Sequence, residues 1–294
     1  MKITLLGCGT SVGVPALGGL GWGKCNPENP KNRRQRASVL VETNNITLLV
    51  DAGPDIRNQL LDAKINKIDA VLLTHAHSDH TSGLAELRPY YFAQKTKVPI
   101  FSNIETLNEV ERQFDFLFTK KTGSPSYFVP PMTLNEIGAG TLEIGNLNIE
   151  TIKQGHGNIE SLGFIFNKKF AYSTDVVKMP ELNFKKLNNL DLWIVEALRV
   201  EPHEAHSHFK QTFNWIKRTM PKKAVLTHLG WESDYDYIMS ICPENVYPGY
   251  DGMVFKIMGP YNNLVIIVYY GYSFECEQYE LRFIEQKIRS TKFA

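Results

Sequence analysis

His75, His77, Asp79 and His80 fall within six positions of a 294-residue chain. Imidazole and carboxylate are the side chains that ligate divalent first-row metals. They come directly after Ala70, Val71, Leu72 and Leu73, a continuous apolar run of the kind found in strands buried on both faces. In an extended chain, residues two apart share a face. His75 and His77 therefore point together, while Asp79 and His80 can turn toward a neighbouring point, and the spacing suggests two adjacent metal ions. A lone surface histidine beside an aspartate is ordinarily just solvated. Four ligand-type residues packed behind a buried strand need a chemical reason.

A second cluster, His203, His206 and His208, precedes Phe209, Phe213, Ile216 and Met220. That apolar spacing predicts a helix over residues 208–220 with one face inward. A helix N-terminus gathers free amides and the positive end of the macrodipole, which makes it an anion site. Histidines there, beside metal ions, could bind a phosphate and protonate a leaving oxygen.

These groups need a frame. Strands are expected over residues 3–6, 38–42 and 46–50, with Asn44 and Asn45 as the turn between the last two. Asp51 closes that third strand, either as a helix cap or as the partner of a ligating imidazole. Pro99 should put the strand over 98–101 at a sheet edge. A helix is expected over 106–120, then a loop over 121–131 that is either a plain surface loop or a flap over the substrate. Hairpins over 142–152 and 162–173 follow. The first delivers His156 into a glycine-flanked bend, and the second is followed by Asp175. The strand over 191–197 carries Glu196 at its end, and the strand over 224–227 ends in His228. The glycine-rich stretch GCGTSVGVPALGGLGWGKC reads as a loop needing positive φ. It lacks the lysine spacing of a nucleoside-triphosphate loop.

THAHSDHTSG resembles the HxHxDH signature of the metallo-β-lactamase superfamily of binuclear metallohydrolases. GCGTSVGVP, the histidines ahead of the 208–220 helix and the Tyr250–Met253 stretch YDGM resemble its phosphodiesterase branch, the PhnP-like phosphoribosyl 1,2-cyclic phosphate phosphodiesterases. The similarity runs from Met1 to about Ile257. It implies an α/β fold, the αββα sandwich of two mixed sheets flanked by helices. It implies His75, His77 and His156 on a first metal, Asp79, His80 and His228 on a second, and Asp175 bridging both. The cofactors implied are two divalent ions, Zn or Mn, since one N/O ligand set accepts either. The implied chemistry is phosphodiester hydrolysis by a bridging hydroxide, with His206 as phosphate binder and general acid and Asp79 counted beside it as catalytic. Asp51 is implied to support a ligating imidazole, and Asp251 to be a supporting residue rather than a ligand. Arg34 and Arg36 lie where the branch has substrate or structural contacts. Some relatives hold a structural zinc with a cysteine cluster; here only Cys25 remains, with Leu20 and Trp22 where cysteines would stand, so that zinc is not expected.

Composition sets the outer limits. Lys+Arg 32 against Asp+Glu 31 leaves a formal charge of +1, which argues against strong nonspecific nucleic-acid binding. No run of about 18 apolar residues predicts a membrane span. The segment after Met1 is too short for a signal peptide, and four cysteines without framework spacing fit a reducing compartment, so a cytoplasmic protein is expected. Residues 1–258 are expected to form the hydrolase domain and residues 259–294 an extension. Its run LVIIVYYGY could be an added strand, the contact of a homodimer or a loose tail. The expected substrate is a small phosphodiester, cyclic ones included. The rivals are a tRNA 3′-processing endonuclease, which would want a basic arm, a thioester or lactone hydrolase, which would not need His206, and a non-catalytic relative, which would show broken ligands.

Overall fold

The computed structural model describes residues 1–138, 140–257 and 265–267. β1 (Lys2–Gly7), β2 (Ser38–Glu42) and β3 (Thr47–Val50) are antiparallel neighbours. β4 (Ala70–Leu72), β5 (Val98–Ser102) and β6 (Met132–Glu136) then add in parallel, each after a helical crossover or excursion. A second sheet starts with β7 (Thr141–Ile144), β8 (Leu147–His156), β9 (Ile159–Phe166) and β10 (Phe170–Ser173), all antiparallel. It continues in parallel through β11 (Leu192–Glu196), β12 (Ala224–Thr227) and β13 (Val246–Pro248). β14 (Met253–Lys256) returns to the first sheet beside β1, and β15 (Val265–Ile267) pairs antiparallel outside it.

The helices are α1 (Ile56–Asp62), α2 (Ser78–Thr81), α3 (Arg88–Gln94), α4 (Ile104–Gln113), α5 (Glu181–Lys186), α6 (Phe209–Thr219) and α7 (Tyr235–Ile241). Strands buried on both faces need cover on both. Ile3, Val41 and Leu48 of the first sheet meet Phe164, Tyr172 and Ile194 of the second in a central core. Ile56 and Leu60 of α1 and Leu107 and Val110 of α4 cover the outer face of the first sheet with Leu40, Leu49 and Val71. Phe209 and Ile216 of α6 and Ile238 of α7 cover the second with Trp193 and Val195. These are the four layers αββα expected from the sequence. No helix of the described residues is long and apolar enough to cross a membrane.

Three expectations change. The strand with Pro99 is not at an edge, because β6 pairs beyond it. Val98 N–H donates to Pro131 O on the β6 side, so Pro99 turns its missing donor toward β4, where pairing begins only at Ile100 with Val71. The helix expected over 106–120 starts earlier, where the Asn103 side chain caps Thr106 N at 2.9 Å, and ends at Gln113. The flap expectation also fails. β5 and β6 are parallel, so the chain must travel back before β6 begins, and Pro131 lies beside Val98. The loop over 121–131 is therefore at the end of the sheet away from His75–His80. Of the tail, Val265–Ile267 take the strand option, and the rest of that expectation lies outside the described residues.

Candidate metal centre

Every candidate ligand sits at or just past the C-terminal end of a strand, on one rim of the sandwich. β4 feeds His75, His77 and α2, which carries Asp79 and His80; β8 ends in His156; Asp175 follows β10; His228 follows β12. Sharp turns hold them there. Asp51, Asp175 and His228 all have positive φ, at 64°, 51° and 56°. Such backbone costs of order 1–3 kcal/mol per non-glycine residue and clusters at functional sites. Gly53 lets the α2 segment close in, since a Cβ there would fall 2.1 Å from Asp79 O.

Asp175 is the hub. Its Oδ1 lies 3.9 Å from His75 Nε2 and 3.6 Å from His156 Nε2. Its Oδ2 lies 3.1 Å from His80 Nε2 and 3.6 Å from His228 Nε2. Asp79 Oδ2 joins that second side, 3.1 Å from His80 Nε2 and 3.7 Å from His228 Nε2. His77 joins the first, its Nδ1 3.4 Å from His156 Nε2. His75, His77 and His156 thus form one group able to hold an ion, and Asp79, His80 and His228 another. The two oxygens of a single carboxylate face one group each.

The donor set fits metal ions on its own evidence. His75 Nε2, His80 Nε2 and His228 Nε2 are buried and make no hydrogen bond. Buried polar atoms are ordinarily satisfied, and leaving one unmade costs about 1–3 kcal/mol. Three orphaned imidazole nitrogens aimed at one carboxylate have a common explanation in cations between them. Metal-free electrostatics are correspondingly severe. Burial and the neighbouring His80 drive His75 well below its usual range. Burial pushes His80 and His228 down too, but the surrounding carboxylates win, holding His80 well above its usual value and His228 up to about 10. Asp79 and Asp175, despite burial, are held below the usual carboxylate range by those imidazoles.

The outer nitrogens are fixed as well. Asp51 accepts from Thr74 N at 2.8 Å and Thr74 Oγ1 at 2.9 Å, and its Oδ2 meets His80 Nδ1 at 2.7 Å. It caps no helix; of the two alternatives for Asp51, the imidazole partner is the one observed. His156 Nδ1 donates to Ala205 O at 2.8 Å. Such partners select the tautomer that leaves the inner nitrogen free for a metal.

Glu196 is the residue whose part the sequence did not reveal. Its Oε1 lies 2.5 Å from His206 Nδ1 and 3.1 Å from His228 Nδ1, and its Oε2 accepts from Val176 N at 2.5 Å. One buried carboxylate therefore ties together His206, His228 and the residue after Asp175. A charge ending the buried run LWIVE, where ligands of open sheets gather, was the available signal. Asp175, Glu196, His206 and His228 also form a group of ion-holding geometry. At 2.5 Å Glu196 and His206 are in direct hydrogen-bond contact, well inside the roughly 3.3–3.6 Å that separates two ligand atoms on one tetrahedral ion with bonds of about 2.0–2.2 Å. His206 stacks on His228 at 5.0 Å between ring centroids, at the mouth of the site.

Other residues from the sequence take structural parts. Arg34 is buried and donates to Gly230 O at 3.3 Å and Asn32 Oδ1 at 3.1 Å. Arg36 pairs with Asp55 at 3.0 Å. Asp251 accepts from Cys8 N at 3.0 Å and Gln35 N at 2.7 Å, holding the glycine-rich loop and not a ligating imidazole. Burial raises its carboxyl to about 7. His203 is exposed beside His206, and His208 is the N-cap of α6.

The beta-lactamase superfamily domain matches residues 46–229, more than half of the chain. The chain belongs to this superfamily. Among solved structures, a diphosphatase from the PhnP family superposes on this superfamily member with a TM-score of 0.79 at 28% identity, covering 86% of this chain and 95% of that one. The PhnP-like resemblance read from the sequence holds. An octanoyltransferase of Porphyromonas gingivalis is 30% identical over 257 residues, 86% of this chain and 51% of that protein. A ribonuclease Z of Thermococcus kodakarensis is 26% identical over 153 residues, 48% of this chain and 43% of its own length. The chain thus spans about half the length, or less, of these curated relatives.

Proposed function

We propose that this chain is a metal-dependent hydrolase that binds two divalent ions, Zn or Mn, and cleaves a small phosphodiester. The observation that carries the reading is the division of Asp175, with one oxygen toward His75 and His156 and the other toward His80 and His228. A carboxylate is suited to that place because its two oxygens and negative charge offset two dications. In this reading His75, His77 and His156 would hold the first ion and Asp79, His80 and His228 the second, with Asp175 shared between them. When bound, the ions supply Lewis-acid charge that activates water and neutralises a phosphoryl group.

The protein's own groups do the rest. Asp51 holds His80 in the tautomer that presents Nε2 inward, and Glu196 Oε1 lies 3.1 Å from the outer nitrogen of His228. Glu196 accepts the Nδ1 proton of His206, so the His206 proton available to a leaving oxygen is the one on Nε2. Asp79 is the candidate for orienting the attacking water, because its carboxylate faces the centre, with Oδ2 beside His80 and His228. Support for a phosphate ester over a thioester comes from His206, which a thiolate leaving group would not need. The formal charge of +1 favours a small substrate over a nucleic acid, and the likeness to a PhnP-family diphosphatase favours a phosphate compound. The likeness to ribonuclease Z favours a nucleic-acid diester as the second reading. Residues 1–258 form the hydrolase domain in this account.

The test compares wild type, Asp175→Ala and His206→Ala, each assayed for metal content and for turnover of cyclic phosphodiesters, bis(p-nitrophenyl) phosphate and precursor tRNA. Asp175→Ala should lose at least one ion and nearly all activity. His206→Ala should keep both ions yet lose roughly 10²–10⁴-fold in rate, less for p-nitrophenyl esters, whose leaving group barely needs a proton. Full metal content and full activity in Asp175→Ala would sink the assignment.

A further inference from the structure

His206 is delivered by a strap, residues 199–206, that leaves β11 and comes back before α6 with no regular secondary structure of its own. Two backbone bonds close its base: Leu198 N–H donates to Ser207 O at 2.9 Å, and Phe209 N–H donates to Arg199 O at 3.1 Å. Its crest, Val200 to Glu204, is exposed. Such a segment has carbonyls that no ladder satisfies, and without fixed partners its shape is free to vary. A residue that acts on a proton has to be held within a fraction of an ångström, so something must set that shape.

We infer that Arg199 is a positioning residue for His206, its guanidinium replacing the backbone ladder that the strap lacks. Nε donates to Glu201 O at 3.3 Å, and a terminal nitrogen donates to Pro202 O at 3.2 Å. The other terminal nitrogen lies 3.7 Å from Glu232 Oε2, on the segment that follows His228. Glu232 in turn reaches Lys24 of the glycine-rich loop at 3.5 Å. One planar fork therefore folds the crest back and ties it to the strand end carrying His228. At the inner end Ala205 is gripped on both sides, its N–H on His203 Nδ1 at 3.1 Å and its carbonyl on His156 Nδ1 at 2.8 Å. With crest and inner end both fixed, His206 has one seat, against Glu196. Lysine could not make these bonds together, since it offers a point charge where arginine offers a rigid set of donors.

The inference rests on the reading of His206 as general acid, and the experiment separates the two. The metal-loaded full-length protein and its Arg199→Met, Arg199→Lys and His206→Ala variants are assayed on methyl aryl phosphates from p-nitrophenyl to phenyl. Hydrogen exchange of residues 200–206 is followed in parallel. Arg199→Met should keep both ions and its KM, and lose roughly 10²-fold in kcat for the phenyl ester, with a smaller loss for p-nitrophenyl. Arg199→Lys should recover part of that. Exchange across 200–206 should rise in Arg199→Met while the amides around His156 and His228 stay protected. Unchanged exchange, or a kcat loss equal for good and poor leaving groups, overturns the role of Arg199. If His206→Ala itself shows no dependence on the leaving group, the general-acid reading falls, and with it the inference that Arg199 serves it.

Discussion

At the scale of single residues, the centre depends on carboxylates that do different work. Asp175 lies between the two groups, and Asp51 and Glu196 hold the far nitrogens of His80 and His228. Glu196 is the most exposed to test because it serves two partners at once. Glu196→Gln keeps the size and one acceptor but removes the charge that His206 and His228 share. Weakening an outer partner of a ligating histidine typically costs roughly 10–100-fold in metal affinity or activity. We expect Glu196→Gln to show both losses, affinity in a metal-competition titration and rate on an ester with a poor leaving group. Wild-type values in both would remove Glu196 from the account. The difference between Asp175 and Glu196 also shows what the sequence could reveal. The run His75–His80 is dense enough to announce itself. Glu196 is one charge ending an apolar run, and its meaning depends on His206, ten residues away, folding back onto it.

At the scale of elements, the sandwich was legible because its strands are continuous apolar runs and its helices carry inward-facing apolar stripes. Of the apolar residues that predicted α6, Phe209 and Ile216 are buried and Phe213 is partly buried, while Met220 ends the helix in the left-handed region and is exposed. What was not legible was order within the sheet. Pro99 argues for an edge only if the neighbouring strand is long enough to need its N–H, and β4 is too short. Nor does local sequence say to which end of a sheet a loop returns. The loop over 121–131 illustrates this, since the parallel pairing of β5 and β6 carries it away from the candidate centre. Shortening residues 122–128 by a few residues should therefore leave kcat/KM on bis(p-nitrophenyl) phosphate within about twofold of wild type, surface-loop changes being tolerated. A loss of more than tenfold with metal content intact would restore the flap.

At the scale of the whole molecule, two sheets pack face to face so that strands of both end at one rim, and the charge gathered there links metal binding to protons. Without metal, the carboxylates hold His228 protonated, up to about 10. That contribution to the metal-free fold is complete below the ordinary histidine value of 6.5 and is lost as pH rises through about 10. Coordination needs the neutral ring, so metal uptake at pH 7 should release protons, and metal affinity should rise with pH. The loaded protein should then behave oppositely to the metal-free one and lose stability as pH falls. Titration calorimetry in buffers of differing protonation enthalpy reads the release, and uptake without it would contradict the charge state. The most direct test of the central claim is the position of the ions themselves, from anomalous diffraction at the metal edge on crystals of the loaded protein. Two peaks are expected, one on either side of Asp175, the first among His75, His77 and His156 and the second among Asp79, His80 and His228. A single peak, or one bonded to Glu196 and His206, would contradict that claim.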